Sequence, residues 1–293
     1  MTTGSSSQAA VKTTGSFGER LSGAMAAYGP LCVGIDPHRS LLDAWGLPVD
    51  ASGLERFAMT CVDALAGQVA AVKPQSAFFE VFGARGVAVL ERVLLELAAA
   101  GTLSILDVKR GDIGTTMAAY GEAFLGADAP AAADAITVSP FLGYESLRPA
   151  LDLAERTGRG VFVLTLTSNP EGAAVQHAVR DGRSVAAAIV EGATRDNAAA
   201  RQRQALGSVG LVIGATVGDA VADLGLQLVA ANAPVLAPGV GAQGGTAAGL
   251  ADVFGAARGQ VLASSSREVL AAGPDPRALA GAARRLADSL RTD

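Results

Sequence analysis

Apolar residues along the chain gather into short runs that end at a charge, a serine, a glycine or a proline. Eight such runs read as strands, over 31–35, 69–72, 103–106, 135–138, 161–165, 210–213, 235–237 and 260–263. Each is short and rich in aliphatic residues, as strands buried on both faces are. Between the runs, apolar residues recur three and four apart: Leu54, Phe57, Cys61 and Leu65, then Val87, Leu90, Leu94 and Leu97, then Leu147, Leu151 and Ala154. That spacing predicts helices, and further helices are expected over 17–28, 185–204, 219–226 and 278–290, with a short one after the seventh strand. Strict alternation of eight strands with helices predicts an α/β chain folded as a (β/α)8 TIM barrel, one domain spanning 17–293. An open doubly wound sheet is the competitor. It carries its glycine-rich nucleotide loop after the first strand, whereas here the glycine-rich stretch 238–245 follows the seventh.

Residues 1–16 are rich in Ser, Thr and Gly and lack an apolar core, so they read as a disordered tail rather than a signal peptide or anchor. No run of about eighteen apolar residues is free of charge and glycine, so no membrane span is expected.

Composition narrows the chemistry. Half of the 293 residues are hydrophobic but only 4% are aromatic, which suits close helix-on-sheet packing through small side chains. A net charge of -5 without a basic stripe argues against a nucleic-acid partner. Arg195, Arg201 and Arg203 share a predicted helix with Asp196 and read as a solvated face. Cys32 and Cys61 sit in apolar patterns and read as buried small hydrophobes, consistent with a reducing, cytoplasmic setting. His38 and His177 are far apart in sequence, no metal-ligand spacing occurs, and no Gly-x-Ser-x-Gly elbow is present. The chemistry falls to lysines and carboxylates.

The densest such group is Asp107, Lys109, Arg110 and Asp112. On a strand, Asp107 and Lys109 share a face about 7 Å apart. Two charges facing the interior are costly unless paired or used; the alternative is a solvated strand end with weak ion pairs. Gly111 and Gly114 end the strand, and Thr115 or Thr116 is expected to cap the next helix. In a barrel the strand tips converge on one face. Those tips carry Asp36, Lys73, Asp107, Lys109, Ser139 and Ser168, with Ser139 equally able to cap a helix. The loops after strands seven and eight add Gln243, Gly244, Gly245 and Arg267, the usual place for a phosphate in this fold, where glycine amides and an arginine fork would meet the anion. The polar stretch 169–182, with Gln176, His177 and Arg180, reads either as a cover for the site or as a surface loop.

Asp107-Val108-Lys109-Arg110-Gly111-Asp112-Ile113, followed by Thr116, resembles the Asp-x-Lys-x-x-Asp signature of the orotidine 5'-phosphate decarboxylases. The blocks Gly34-Ile35-Asp36-Pro37-His38, Val72-Lys73-Pro74-Gln75, Thr165-Leu166-Thr167-Ser168-Asn169-Pro170-Glu171-Gly172 and 238–245 resemble the same family in its bacterial, mycobacterial-type branch, over about residues 17–290. The signature alone is shared with sugar-phosphate relatives; the blocks in order are specific. The resemblance implies a carboxy-lyase that converts orotidine 5'-monophosphate to UMP and CO2 in pyrimidine biosynthesis, with no cofactor and no metal. It implies that Lys73, Asp107, Lys109 and Asp112 form the charged array, with Lys109 the proton donor to C6 and Asp107 beside the substrate carboxylate. Asp36, Lys73 and Thr116 would meet the ribose, Ser168 the pyrimidine edge, and Gln243, Gly244 and Arg267 the 5'-phosphate. A homodimer is implied, with Asp112 and Thr116 reaching into the neighbouring subunit's site. The rivals are a barrel decarboxylase or aldolase acting on a sugar phosphate, and a nucleotide-binding regulator that has lost turnover.

Overall fold

The structure, a computed structural model, describes residues 15–242 and 244–291. The expected tail therefore lies, but for its last two residues, outside the described residues. Eight strands close a parallel barrel: β1 (Leu31–Ile35), β2 (Ala71–Pro74), β3 (Leu103–Arg110), β4 (Ala135–Val138), β5 (Gly160–Leu166), β6 (Val209–Ile213), β7 (Val235–Pro238) and β8 (Val261–Ser265). Each pairs with its sequence neighbours, and β1 closes the ring on β8 through Leu31↔Ala263 and Val33↔Ser265. The barrel expectation holds, and the reason is visible in the burial. All five residues of β1 and all four of β4 are buried, because a strand inside a ring of helices has no wet face.

The two faces of each strand feed two cores. Inward-pointing Cys32, Ala71, Ile105, Ala135, Phe162, Val212, Leu236 and Leu262 fill the barrel. Outward-pointing Val33, Val72, Leu106, Ile136 and Val163 pack under the helices. The helix Phe17–Tyr28 closes the bottom: Ser16 and Glu19 cap it reciprocally, and Phe17 meets Phe162 edge-on at 5.8 Å. Gly160 is required there, since a methyl group in its place would lie 2.3 Å from the Phe17 ring. Cys32 and Cys61 are fully buried free thiols, as the apolar pattern predicts, and burial pushes the Cys32 thiol up to about 12.

Several local expectations are corrected. The helix after β3 is Gly114–Leu125, and Ile113 precedes it with no side-chain cap, so Thr115 and Thr116 lie inside its first turn. The helix expected over 185–204 is broken into Val185–Asp196 and Ala198–Gln202. At the break, the buried Asn197 side chain bonds the carbonyls of Val209 and Ala231 and accepts the Val209 amide. The polar stretch after β5 is structured: a helical turn, Ala173–Gln176, leads into a two-residue-turn hairpin of Val179–Arg180 with Arg183–Ser184. Asp181 and Gly182 both take positive φ at that turn, which the mirror-image hairpin turn demands.

Candidate active site

At the top of the barrel the inward layer changes from apolar to charged. Two residues beyond Ala71, Ile105 and Ala135, the same inward direction carries Lys73, Asp107 and Thr137. Lys73 and Asp107 are nevertheless buried, at 6% and 8% exposure. Such charges persist there only if paired, and they are. Lys73 Nζ lies 3.0 Å from Asp107 Oδ2 and also donates to Gln75 Oε1 at 3.2 Å. Lys109 Nζ donates to Asp107 Oδ1 at 2.6 Å, and Thr137 Oγ1 donates to the same oxygen at 2.7 Å. The solvated-strand-end alternative fails on these contacts.

Electrostatics follow from the geometry. Burial pushes the Asp107 carboxyl up, but Lys73 and then Lys109, with the hydrogen bonds from Lys109 and Thr137, hold it down to about 2. Burial pulls Lys73 down, and Asp107 and then Asp36 more than reverse this, so its ammonium stays charged above the ordinary lysine range. Lys109 is the outer member, with its side chain 46% exposed. Of the two ammonium groups, that of Lys109 is the more exposed and that of Lys73 the more deeply buried.

Lys109 reaches this place by a route that simple alternation does not describe. Leu106 pairs with Ile136 and Arg110 with Val138, so three residues of β3 stand opposite Thr137 alone. This is a bulge. Lys109 sits in it with φ +44, a left-handed conformation that lysine rarely adopts. The Lys109 amide donates to Thr137 Oγ1 at 3.0 Å and the Ser139 amide donates to the Arg110 carbonyl at 2.7 Å, fixing the bulge from both sides. Beyond it, Arg110 pairs with Glu80 at 2.7 Å, and Gly111 passes so close to β4 that a methyl group there would lie 2.3 Å from the Ser139 carbonyl oxygen.

The remaining predicted residues surround the array. Asp36 follows β1, and its Oδ1 is buried with no hydrogen-bond donor among the described residues. Asp112 is not brought into the cluster: its carboxylate accepts the Ile113 amide at 2.8 Å and pairs with no lysine or arginine of the described chain. Thr116 is exposed on the helix that follows, and Ser168 is exposed just beyond β5. Gly244 lies in a tight loop in which the amides of Gly241, Gly244 and Gly245 bond carbonyls of the same loop. Arg267 is exposed at the start of the helix Arg267–Leu270 after β8. Gln243 lies outside the described residues. Ser139 contributes its backbone to the bulge rather than capping a helix. Among the described residues, no group of three or more His, Cys, Asp or Glu is disposed to hold a metal ion. Thr137 and Gln75 were not legible as site residues; the one cue for Thr137 was a hydroxyl among the aliphatic residues of β4.

The chain is similar to known proteins both in sequence and in fold. A family model described as orotidine 5'-phosphate decarboxylase / HUMPS family matches residues 29–283. A Streptomyces coelicolor protein named orotidine 5'-phosphate decarboxylase is 59% identical over 94% of this chain and 97% of its own length. A Salinispora tropica protein of the same name is 58% identical, covering 92% and 95%. Among solved structures, a Streptomyces avermitilis chain assigned the same name superposes with a TM-score of 0.90 at 57% identity, covering 95% of each chain. The Leishmania donovani OMP decarboxylase superposes with a TM-score of 0.72 at 32% identity, covering 94% of this chain and 98% of that one.

Proposed function

Because the chain belongs to the orotidine 5'-phosphate decarboxylase / HUMPS family, we propose that Lys73, Asp107 and Lys109, completed by Asp112 of the partner subunit, carry its reaction. That reaction is the decarboxylation of orotidine 5'-monophosphate to UMP and CO2, a carboxy-lyase step of pyrimidine biosynthesis. The sugar-phosphate alternative finds no support among the relatives. The observation that carries the assignment of roles is the Lys109–Asp107–Lys73 chain of contacts, 2.6 and 3.0 Å long, at the C-terminal mouth of the barrel.

Loss of CO2 leaves an electron pair in the plane of the pyrimidine ring at C6, where no adjacent carbonyl delocalises it. An ammonium held at that carbon stabilises the developing charge and then donates the proton that replaces CO2. Lys109, half-exposed and held by Asp107, is the group placed to do so. Asp107 faces the departing carboxylate, and their like-charge repulsion is relieved as CO2 leaves. Lys73 keeps Asp107 ionised. With Asp112 of the partner subunit, two lysines balance two carboxylates.

Binding follows the same face. The unpartnered Oδ1 of Asp36 and Lys73 of the same chain, together with Thr116 of the partner subunit, would take the ribose hydroxyls. Ser168 would meet the pyrimidine edge. Gln243, Gly244 and Arg267 would take the 5'-phosphate. Since the amides of Gly241, Gly244 and Gly245 bond within their own loop, Arg267 is the principal cation for that anion. Phosphate binding remote from C6 contributes to closing the loops around the base and so to turnover.

A homodimer is supported by two observations. Asp112 stands apart from the array of its own chain. Beside it in the chain, and on the loop after β4, Ile113, Phe141 and Leu142 are 61%, 78% and 52% exposed, large apolar side chains of the kind that protein partners cover. A cytoplasmic setting is supported by the two free thiols. The test is loss of orotidine 5'-monophosphate absorbance without added metal, for the native protein and Lys109→Ala. Turnover by the native protein and a fall of several powers of ten in the variant are expected; near-native turnover by Lys109→Ala would overturn the role of Lys109.

A further inference from the structure

We propose that Thr137 is a positioning residue of this reaction: one buried hydroxyl fixes both the backbone that carries Lys109 and the carboxylate that holds its ammonium. The inference rests on the functional reading above for its catalytic part, while its geometric part stands alone.

The polarity of the contacts is forced. The Lys109 amide can only donate, so Thr137 Oγ1 is its acceptor at 3.0 Å. The hydroxyl proton is then free to go to Asp107 Oδ1 at 2.7 Å, an ionised carboxylate that can only accept. Thr137 is 1% exposed, so solvent does not compete for either bond. It points into the barrel because Ala135, two residues earlier, does so, and it is the single residue of β4 facing the three-residue bulge Asp107–Lys109.

The bulge needs such a pin. Lys109 at φ +44 occupies the left-handed region, where any residue but glycine is less stable than at negative φ. Relaxation of Lys109 to ordinary extended geometry would reshape the bulge and swing the Lys109 side chain away from its present direction. The hydroxyl opposes that relaxation at the backbone. Through Asp107 Oδ1, which also accepts Lys109 Nζ at 2.6 Å, it opposes it at the side chain as well. An aliphatic residue in β4, the normal occupant of such a strand, supplies neither bond.

The test compares Thr137→Val, close in shape but without the hydroxyl, and Thr137→Ser, which keeps it, in the full chain. Two readouts are taken. Amide hydrogen exchange at Lys109 reports the pin directly; steady-state turnover of orotidine 5'-monophosphate reports its consequence. For Thr137→Val we expect Lys109 exchange at least tenfold faster and kcat at least tenfold lower, with KM within threefold of native, at a temperature well below its Tm. Thr137→Ser should stay within threefold of native in both readouts. A Thr137→Val protein that loses Tm but keeps kcat within threefold, or a Thr137→Ser protein as impaired as Thr137→Val, would overturn the proposal. If Thr137→Val does not fold, Thr137→Ala takes its place with the same thresholds. A native chain without decarboxylase activity would refute the functional reading, and the exchange comparison would still decide whether Thr137 pins the bulge.

Discussion

Lys73 and Asp107 form a buried ion pair, Nζ 3.0 Å from Oδ2, with side chains only 7% and 9% exposed. Asp107→Ala leaves the Lys73 ammonium buried with Gln75 as its remaining partner, and removal of one member of such a pair costs about 3–5 kcal/mol. Denaturant unfolding should show a loss in that range along with loss of turnover. The pair also sets acid sensitivity. Asp107 is held at about 2 against an ordinary 3.8. Its contribution, about 2 kcal/mol, is therefore present above the ordinary value and lost as pH falls through the lower one. Thermal unfolding across that acid window should fall more steeply for the native protein than for Asp107→Asn.

Gly111 joins the bulge to the loop bearing Asp112. Its substitution by alanine sets a methyl group 2.3 Å from the Ser139 carbonyl oxygen, a backbone atom that cannot rotate away. Gly111→Ala should cost about 1–3 kcal/mol in stability, the usual range for overpacking. It should also lower kcat, because the same displacement moves Asp112.

In the proposed function Arg267 meets the phosphate and not the base. Loss of a charge-assisted hydrogen bond is worth about 1.5–3 kcal/mol, or about ten- to a hundredfold. Arg267→Ala should lower kcat/KM for orotidine 5'-monophosphate by that factor and leave the rate on orotidine, which has no phosphate, unchanged. An equal loss on both substrates would assign Arg267 another task.

Asp112 can be tested by complementation. Lys109→Ala and Asp112→Asn are each expected to be nearly inactive alone. Mixed and allowed to exchange subunits, they form heterodimers in which one site combines an intact Lys109 with an intact Asp112 from the other chain. Activity should rise to about a quarter of the native level by statistical pairing. No gain on mixing would place Asp112 in the site of its own chain.

The barrel itself is written in the chain. Strands buried on both faces must be continuous apolar runs, and the charge, serine, glycine or proline that ends each run marks the strand tip, so Asp36, Lys73, Asp107 and Ser168 were legible as tip residues in the sequence. The spacing of Asp107 and Lys109 likewise announced a shared face. What the tertiary structure alone decided is how that face is made. The bulge that turns Lys109 inward, the hydroxyl of Thr137 that holds it, and the separation of Asp112 from its own chain's array arise between strands and loops some 30 residues apart. The broken helix at Asn197 has the same origin, since its side chain bonds carbonyls on elements that only folding brings near. Hydrophobic periodicity is a local property and survives in one dimension. A hydrogen bond between a hydroxyl and an amide on the next strand depends on register, and register exists only once the strands are paired.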